Sequence, residues 1–589
     1  WENITLPMDN TSGISKGYNP TNDTIRYIFF ISLPLLVYLF SYYKFNKNTA
    51  EVRELIFEEN KKIENFNQTV LVLSLIFIFF IFFEFFSINF IFSQYILDHS
   101  HDGNYLTPTQ NYLSSKNYWT SSLLTHGASD IFYPLLMWKI FGFETIGAAR
   151  IFPIFLILFL KLLCVLLSYQ FTKITKLNKN SKIIFFTIFT SILISMSHYT
   201  FLGAGYYLSH KDIYVVLFLI FFIELFIKSR LRNFFIIIIC VIATSAILLQ
   251  IDRGSYIYSS LFFYFGYLVI SKKYKDVFLI FISLLICWGV AINLIGFDEF
   301  KAYLENTKVM AVSGEMIHGM KYPTPFFSMA DDPNGARATR ALLLQLIAGL
   351  FIFNYLISNR IKISNSQKIF FLFFFLLSCV TYKNALGRSD GAHIRGSHDF
   401  PILIISFFII NYLLIFLEKK LFFKKFMSNK ILFAVSIIFL IFYYTSNKNN
   451  YSIENVKNYK NNIFNFIKLN DEVFLDEKTV ALTKLYKKIT KNQNCIENIT
   501  YDDAIPYLLK KPTCTKYWAS WMASPIKIQN DYIYKLKKIK PEYILYYSDN
   551  NKFDGLEIYE RIKLVNNYVL ANYYKFDELN GYIFLKKNK

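Results

Sequence analysis

The sequence predicts a mainly α, polytopic helical membrane protein of about twelve spans, followed by a C-terminal extracytoplasmic α/β domain. Three observations carry that prediction. The chain has 589 residues, of which 54% are hydrophobic and 19% aromatic, including 64 Phe and 43 Tyr, and only 18% are charged. A soluble chain of this length would divide into several domains with polar surfaces; here apolar runs recur, many near the ~20 residues that cross a bilayer core. The Lys and Arg behind a net charge of +21 gather in alternate short loops, the distribution of loops that stay in the cytoplasm. They form no basic stripe with interleaved aromatics, which argues against a nucleic-acid partner.

Taken in order, the apolar runs are 27–43, 70–92, 151–171, 183–198, 213–227, 234–249, 256–270, 277–295, 341–358, 369–381, 401–417 and 431–444. Basic groups follow the third (Lys173, Lys176, Lys179, Lys182), fifth (Lys228, Arg230, Arg232), seventh (Lys272, Lys273, Lys275), ninth (Arg360, Lys362, Lys368) and eleventh (Lys419, Lys420, Lys424, Lys425). Those loops share one side, which the charge bias makes cytoplasmic. Segments 1–26, 93–150, 250–255, 296–340, 382–400 and the tail 445–589 then fall on the outer side, around a transmembrane domain spanning 27–444. Within 93–150, residues 130–142 are too short to span and have a polar side, which suits an interfacial amphipathic helix.

The tail is polar and mixed. Residues 477–490 and 556–567 have helical patterns, and 543–547 reads as a buried strand. Segments 574–576 and 582–585 flank Asn580-Gly581, a hairpin signal. Four of the six Cys (Cys164, Cys240, Cys287, Cys379) lie in or near apolar runs and behave as buried hydrophobes. Cys495 and Cys514 lie in the tail, where an extracytoplasmic setting would allow a disulfide. No Cys/His spacing suggests zinc.

Chemistry-bearing residues concentrate on the outer side. Asp98-His-Ser-His-Asp-Gly-Asn104 sets two carboxylates and two imidazoles directly after the second run. A carboxylate there can take a proton from an acceptor hydroxyl. Asp102 is preferred over Asp98 because Gly103 follows it and allows close approach of a substrate, and His101 could bind phosphate or tune the acid. A second cluster, Gly387 to Asp399, holds Arg388, Asp390, His393 and Arg395, and arginine offers planar, bidentate contacts to phosphate. In Gln250-Ile-Asp-Arg-Gly-Ser255, Arg253 could face a phosphate with Asp252 orienting it, and Lys211 adds positive charge at the start of the fifth run. Each cluster has a plainer account as solvated loop charge. Lys161 sits inside an apolar run, where a charge costs at least ~2.5 kcal/mol, with snorkelling or pairing to Glu84 the simplest explanations.

His101-Asp-Gly103 after an early run, then His126-Gly127, Tyr133-Pro134 to Phe141-Gly142 and Ala149-Arg150, resemble the first large outer loop of GT-C membrane glycosyltransferases. The likeness is to polyprenyl-phosphate-sugar-dependent enzymes of mannosyl- and arabinosyltransferase type, in an uncharacterised bacterial branch. Asp252-Arg-Gly254, Arg388 to His393 and tail stretches 494–512, Trp518 and Pro525 extend the likeness over roughly 90–400 and part of the tail. In many members the acidic loop follows the first span; here it follows the second, and 27–43 is taken as an added span.

The resemblance implies an inverting transfer of a sugar from a polyprenyl-phosphate donor to a hydroxyl of a lipid or glycan acceptor. The enzyme would sit in a bacterial inner membrane with its active site and tail facing outward. It also implies Asp102 as general base, with cations such as Arg253 and Arg388 holding the leaving phosphate. No cofactor is required, although a divalent Mg or Mn ion could bridge Asp102 and the phosphate. Two other functions fit an outer-facing polytopic protein. A flippase of lipid-linked saccharide would put ionisable groups near the bilayer midplane, and the runs are mostly plain Phe, Ile and Leu with no internal repeat. An envelope assembly protein would work through its tail.

Overall fold

In a bilayer, backbone polar groups are satisfied only within a helix or a closed barrel, and runs of Phe, Ile and Leu of this length take the helical solution. The computed structural model describes residues 19–45, 68–87, 96–175, 177–199, 207–226, 231–318, 320–323, 333–357, 365–419, 453–547, 552–553 and 556–588, with positions 434 and 437. Helices occupy eleven of the twelve expected runs: α1 Pro20–Phe45, α2 Gln68–Ser87, α6 Phe152–Lys173, α7 Lys179–Ser195, α8 Ile213–Glu224, α9 Arg232–Leu249, α10 Ile251–Ile270, α11 Tyr274–Ile295, α13 Pro333–Ile357, α14 Asn365–Gly387 and α16 Asp399–Glu418. The expected run 431–444, most of segment 1–26 and most of the inner loop 44–69 lie outside the described residues. Eight helical segments among the described residues are long and apolar enough to cross a membrane. The chain is a multi-pass helical membrane protein with a small C-terminal sheet.

The shorter α7 and α8 are packed into the core against α6 and the later helices. Phe171 stacks near Phe189, Phe374 and Phe407, and Phe222 lies 4.2 Å from Phe373, centroid to centroid. Lys161 is 1% exposed, its Nζ 2.8 and 2.7 Å from the two carboxylate oxygens of Glu84. The span charge is therefore paired rather than free.

The two ends of the helical domain differ in the charges they gather. At one end Lys173 pairs with Glu224, the Asn178 N–H donates to Glu418, and Arg232 pairs with Asp276. This gathers the basic loops after α6, α9's start, α10 and α16. At the other end the outer segments fold under the tail. Three further helices stand there: α3 His99–Ser115, α4 Ser129–Phe141 and α12 Phe297–His318, with short turns α5 Ile146–Ala149 and α15 Gly391–Gly396. Of these only α4 matches an expected helix. It exposes Phe132, Leu136 and Ile140 while burying Ile131, Tyr133 and Trp138, as an interfacial helix does. Segments 99–115 and 297–318 were expected as loop. Their sequences are polar because α3 is covered by the tail through hydrogen bonds as much as through apolar contact, so hydrophobic period does not mark it.

The tail holds α17 Ile453–Ile467, α18 Glu477–Ile489, α19 Ile526–Ile539 and α20 Lys563–Asn572 around a four-stranded sheet of order β1-β2-β6-β5. Its strands are β1 Glu497–Ile499, β2 Tyr543–Tyr547, β5 Tyr573–Leu579 and β6 Tyr582–Lys587, while β3 Lys552–Phe553 and β4 Leu556–Glu557 form a separate pair. β1 runs parallel to β2, and β6 is antiparallel to both β2 and β5. Asn580 (φ 52°) and Gly581 (φ 83°) make the expected hairpin turn. The expected single helix 556–567 is instead β4, one turn at Ile558–Arg561 and α20. The chain leaves helical geometry at Ile562 (φ −122°), where the buried Arg561 donates to the Ile317 carbonyl at 2.6 Å. Cys495 and Cys514 are disulfide-bonded.

Glu497 of β1 is fully buried. It accepts from Tyr532 Oη–H at 2.5 Å and Thr515 Oγ1–H at 3.2 Å through one oxygen, leaving the other without a partner. Burial pushes its pKa up to about 8, against the pull of those two hydroxyls. A carboxyl whose folded pKa exceeds its ordinary 4.5 keeps more protons folded than unfolded, so stability falls as pH rises between the two values. Thermal unfolding of the detergent-solubilised protein followed by Trp fluorescence is expected to weaken from about pH 5 to about 8, and Glu497→Gln to remove that component of the slope.

Candidate functional site

The Asp98–Asn104 cluster opens α3. Asp98 is its N-cap, accepting from Ser100 N–H at 3.1 Å and His101 N–H at 3.0 Å, with His101 Nδ1 2.7 Å from its other oxygen. Burial alone would raise the Asp98 pKa, but the His101 ring and the two amides outweigh it and hold it at about 2. Asp102 lies one turn on, 7% exposed. Arg150 donates Nε to its Oδ1 at 3.1 Å and Nη2 to its Oδ2 at 2.6 Å, and the Asp98 N–H adds 2.9 Å to Oδ2. The guanidinium also covers the Phe474 ring at 5.0 Å.

That geometry gives Asp102 and Gly103 neighbours within the fold. Both oxygens of Asp102 accept from a bidentate Arg150 fork, which ties α3 to the start of α6. Gly103 does permit a close approach, but of the tail: a Cβ there would lie 2.8 Å from Asp503 Cβ. The tail also holds α3 through Leu97 N–H to Phe474 O (2.7 Å), Thr107 Oγ1–H to Asp503 O (2.6 Å) and a two-way contact between Asn111 and Thr513.

A second cluster gathers residues from four outer segments. Residues 209–212 form a capped 3₁₀ turn before α8, with Ser209 N–H and Oγ–H donating to Asp212. Arg253, on the first turn of α10, donates Nε to Asp212 at 2.8 Å and Nη1 to Asp252. Asp399, heading α16, faces Asp212 and Arg253. Arg253 is thus bridged between two carboxylates, Asp212 and Asp252. Asp252 is held at about 2: burial would raise its pKa, and Arg253, Lys211 and His126 lower it.

Lys211 differs from every other cation here. It is half-buried and makes no hydrogen bond or ion pair among the described residues. Burial pulls its pKa down, with Asp252, Asp130 and Asp212 opposing at longer range. Its neighbour His210 is buried with Nδ1 unpartnered, its ring edge-on to Phe152, and burial drives its pKa well below the usual histidine value.

The third cluster is largely self-satisfied. Asp390 caps α15, accepting from Ala392 N–H and His393 N–H, and pairs with Arg388 (2.8 Å) and His393 Nδ1 (2.9 Å). These contacts fix the turn that opens α15. Arg395 lies beyond it, grouped with Arg337 and Arg340 of α13 around His398. Arg337 and Arg340 were not singled out from the sequence. Arg337 donates to the Asn334 side-chain oxygen at 2.9 Å and Arg340 to the Tyr207 hydroxyl at 3.4 Å. The stacking of Tyr207 near His398 (5.8 Å) joins this group to the Ser209–Asp212 turn.

The tail-side end of the helical domain is therefore polarised. Asp130, Asp212, Asp252 and Asp399 surround Lys211 and Arg253, whereas Arg337, Arg340 and Arg395 gather around His398. Among the described residues no group of three or more His, Cys, Asp or Glu converges to hold a metal ion, and Asp102, the expected ligand, is given over to Arg150.

No family model and no curated protein matches the chain. Among solved structures, it is similar to the oligosaccharyltransferase of Archaeoglobus fulgidus, crystallised tethered through a disulfide bond to an acceptor peptide containing the NVT sequon. The TM-score is 0.43 at 10% identity, covering 89% of this chain and 74% of that one.

Proposed function

We propose that this chain is a GT-C-type membrane glycosyltransferase that moves a sugar from a polyprenyl-phosphate donor to an acceptor hydroxyl at the outer face of a bacterial inner membrane, with inversion. The observation that carries this reading is Lys211, an ammonium without a direct partner, half-buried beside a carboxylate-rich cluster and next to an arginine group. A glycosyl phosphate has that same polarity. Positive charge develops at the anomeric carbon, where carboxylates stabilise it, and negative charge on the leaving phosphate, where Lys211 and the arginines do. Lys211, with Arg395 beside Arg337 and Arg340, is the phosphate-binding set; Arg253, Asp390, Arg388 and His393 shape the turns that carry it. The outer ends of the helices would receive the donor's lipid, and the tail would cover the site and position the glycan or lipid acceptor. The flippase alternative calls for charged residues deep in the helices and no dependence on Asp102; the deep Lys161 is paired with Glu84.

Purified protein reconstituted in vesicles with radiolabelled polyprenyl-phosphate sugars and an envelope-glycan extract tests this. Label moving from the lipid to a water-soluble or acceptor-lipid product is the expected result. Movement of intact labelled lipid between leaflets without transfer would favour the flippase.

A further inference from the structure

The turn before α4 is bolted to the junction of α9 and α10. The Ile251 N–H donates to the His126 carbonyl at 2.6 Å, and the Ala128 N–H donates to Leu248 O at 2.9 Å. Gly127 makes this approach feasible. Its φ is +118°, and a Cβ would stand 2.8 Å from the Leu249 carbonyl oxygen. Because Asp252 and Arg253 follow that junction, the His126 side chain is delivered to the charged cluster, where it acts electrostatically on both Asp252 and His210.

The ring itself is oriented. Asp130, one helical turn on, is completely buried, and its carboxylate accepts from His126 N–H at 3.3 Å and lies 3.1 Å from His126 Nδ1. A carboxylate at Nδ1 fixes the tautomer with its proton there and its lone pair on Nε2. The ring remains 27% exposed, and Nε2 has no partner among the described residues. The groups it interacts with are Asp130 on its own segment, Asp252 from α10 and His210 from the 3₁₀ turn, which Lys211 and Arg253 also act on.

We infer that His126, oriented by Asp130, is the proton acceptor of the transfer reaction, an inference that rests on the sugar-transfer reading above. The acceptor hydroxyl gives its proton to His126 Nε2 as its oxygen bonds to the anomeric carbon. The bond from that carbon to the phosphate oxygen breaks, its electron pair leaving with the phosphate. The imidazolium so formed is balanced by Asp130 and Asp252 and returns its proton to water. Imidazole suits a base working near neutral pH; Asp102 has its oxygens committed to Arg150, and Asp98 is capped by His101. Asp130 is a positioning residue.

The vesicle transfer assay on wild type, His126→Gln, His126→Ala and Asp130→Asn tests the inference. His126→Gln is expected to lower kcat by about a hundred- to ten-thousand-fold with the donor KM within about twofold, and to abolish the acidic limb of the kcat/KM pH profile. Asp130→Asn should act in the same direction less severely, and added imidazole should restore part of the His126→Ala rate, which separates missing chemistry from misfolding. Wild-type kcat and an unchanged acidic limb in His126→Gln overturn the inference alone, as does a raised donor KM with unchanged kcat. Absence of transfer by wild type from every polyprenyl-phosphate donor overturns the inference together with the reading beneath it.

Discussion

Arg150→Ala is expected to loosen α3 from the start of α6 and to cost ~3–5 kcal/mol, the usual result of stripping one partner from a buried ion pair. Arg150 and Asp102 side chains are 6% and 9% exposed, and the fork between them is the sole charged tie from α3 to the start of α6 among the described residues. Removing the guanidinium strands the Asp102 carboxylate with one backbone N–H for company. Removing both charges together, as Arg150→Met with Asp102→Leu, should cost less than Arg150→Ala alone, since no uncompensated charge remains. Thermal unfolding and limited proteolysis around α3 read this directly. An Arg150→Ala protein that melts and resists protease like wild type would show that the fork contributes little. Asp102→Asn, which keeps shape and one hydrogen-bonding oxygen, should retain transfer per folded molecule far better than His126→Gln; loss of transfer with full stability would return the base to Asp102.

The second large effect is expected at Lys211. A charge-assisted hydrogen bond contributes ~1.5–3 kcal/mol, so Lys211→Met should lower kcat/KM for donor by roughly ten- to a hundredfold, mainly through KM, with a smaller loss of thermal stability than Arg150→Ala. The loss should be smaller because the ammonium has no direct partner to strand and its burial already disfavours the charged form. Lys211→Arg should recover part of the loss. The contrast with Arg150 is the informative point: one cation is committed to the fold, the other is left over by it. Equal effects of Lys211→Met on kcat and stability would place it in the scaffold instead.

The membrane spans were legible because a bilayer imposes a length and a composition that no other environment does, and because five basic loops agreed on a side. The tail hairpin was legible from Asn580-Gly581 alone. By contrast, α3 and α12 were hidden because they are polar helices fastened by hydrogen bonds such as Thr107 to Asp503 and Arg561 to Ile317, which leave no period in the sequence. The outer clusters at Asp98–Asp102, Lys211, Asp252–Arg253 and Arg388–Arg395 were found as charged patches, but their internal pairing was not. Asp102 meets Arg150 across 48 residues and Arg253 meets Asp212 across 41, distances over which sequence spacing carries no information. His126 and Asp130 did have a local signal, an imidazole and a carboxylate one turn apart beside a glycine, which the richer cluster at Asp98 overshadowed.

The central claim, sugar transfer at the outer face with Lys211 on the donor phosphate, is tested most directly by one comparison. Wild type and Lys211→Met are reconstituted in sealed vesicles of matched protein content, and transfer from a labelled polyprenyl-phosphate sugar is followed over donor concentration. The account predicts saturable transfer by wild type and a raised donor KM in the variant. Identical saturation curves for the two proteins, or no transfer by wild type while labelled lipid crosses the bilayer, would contradict it.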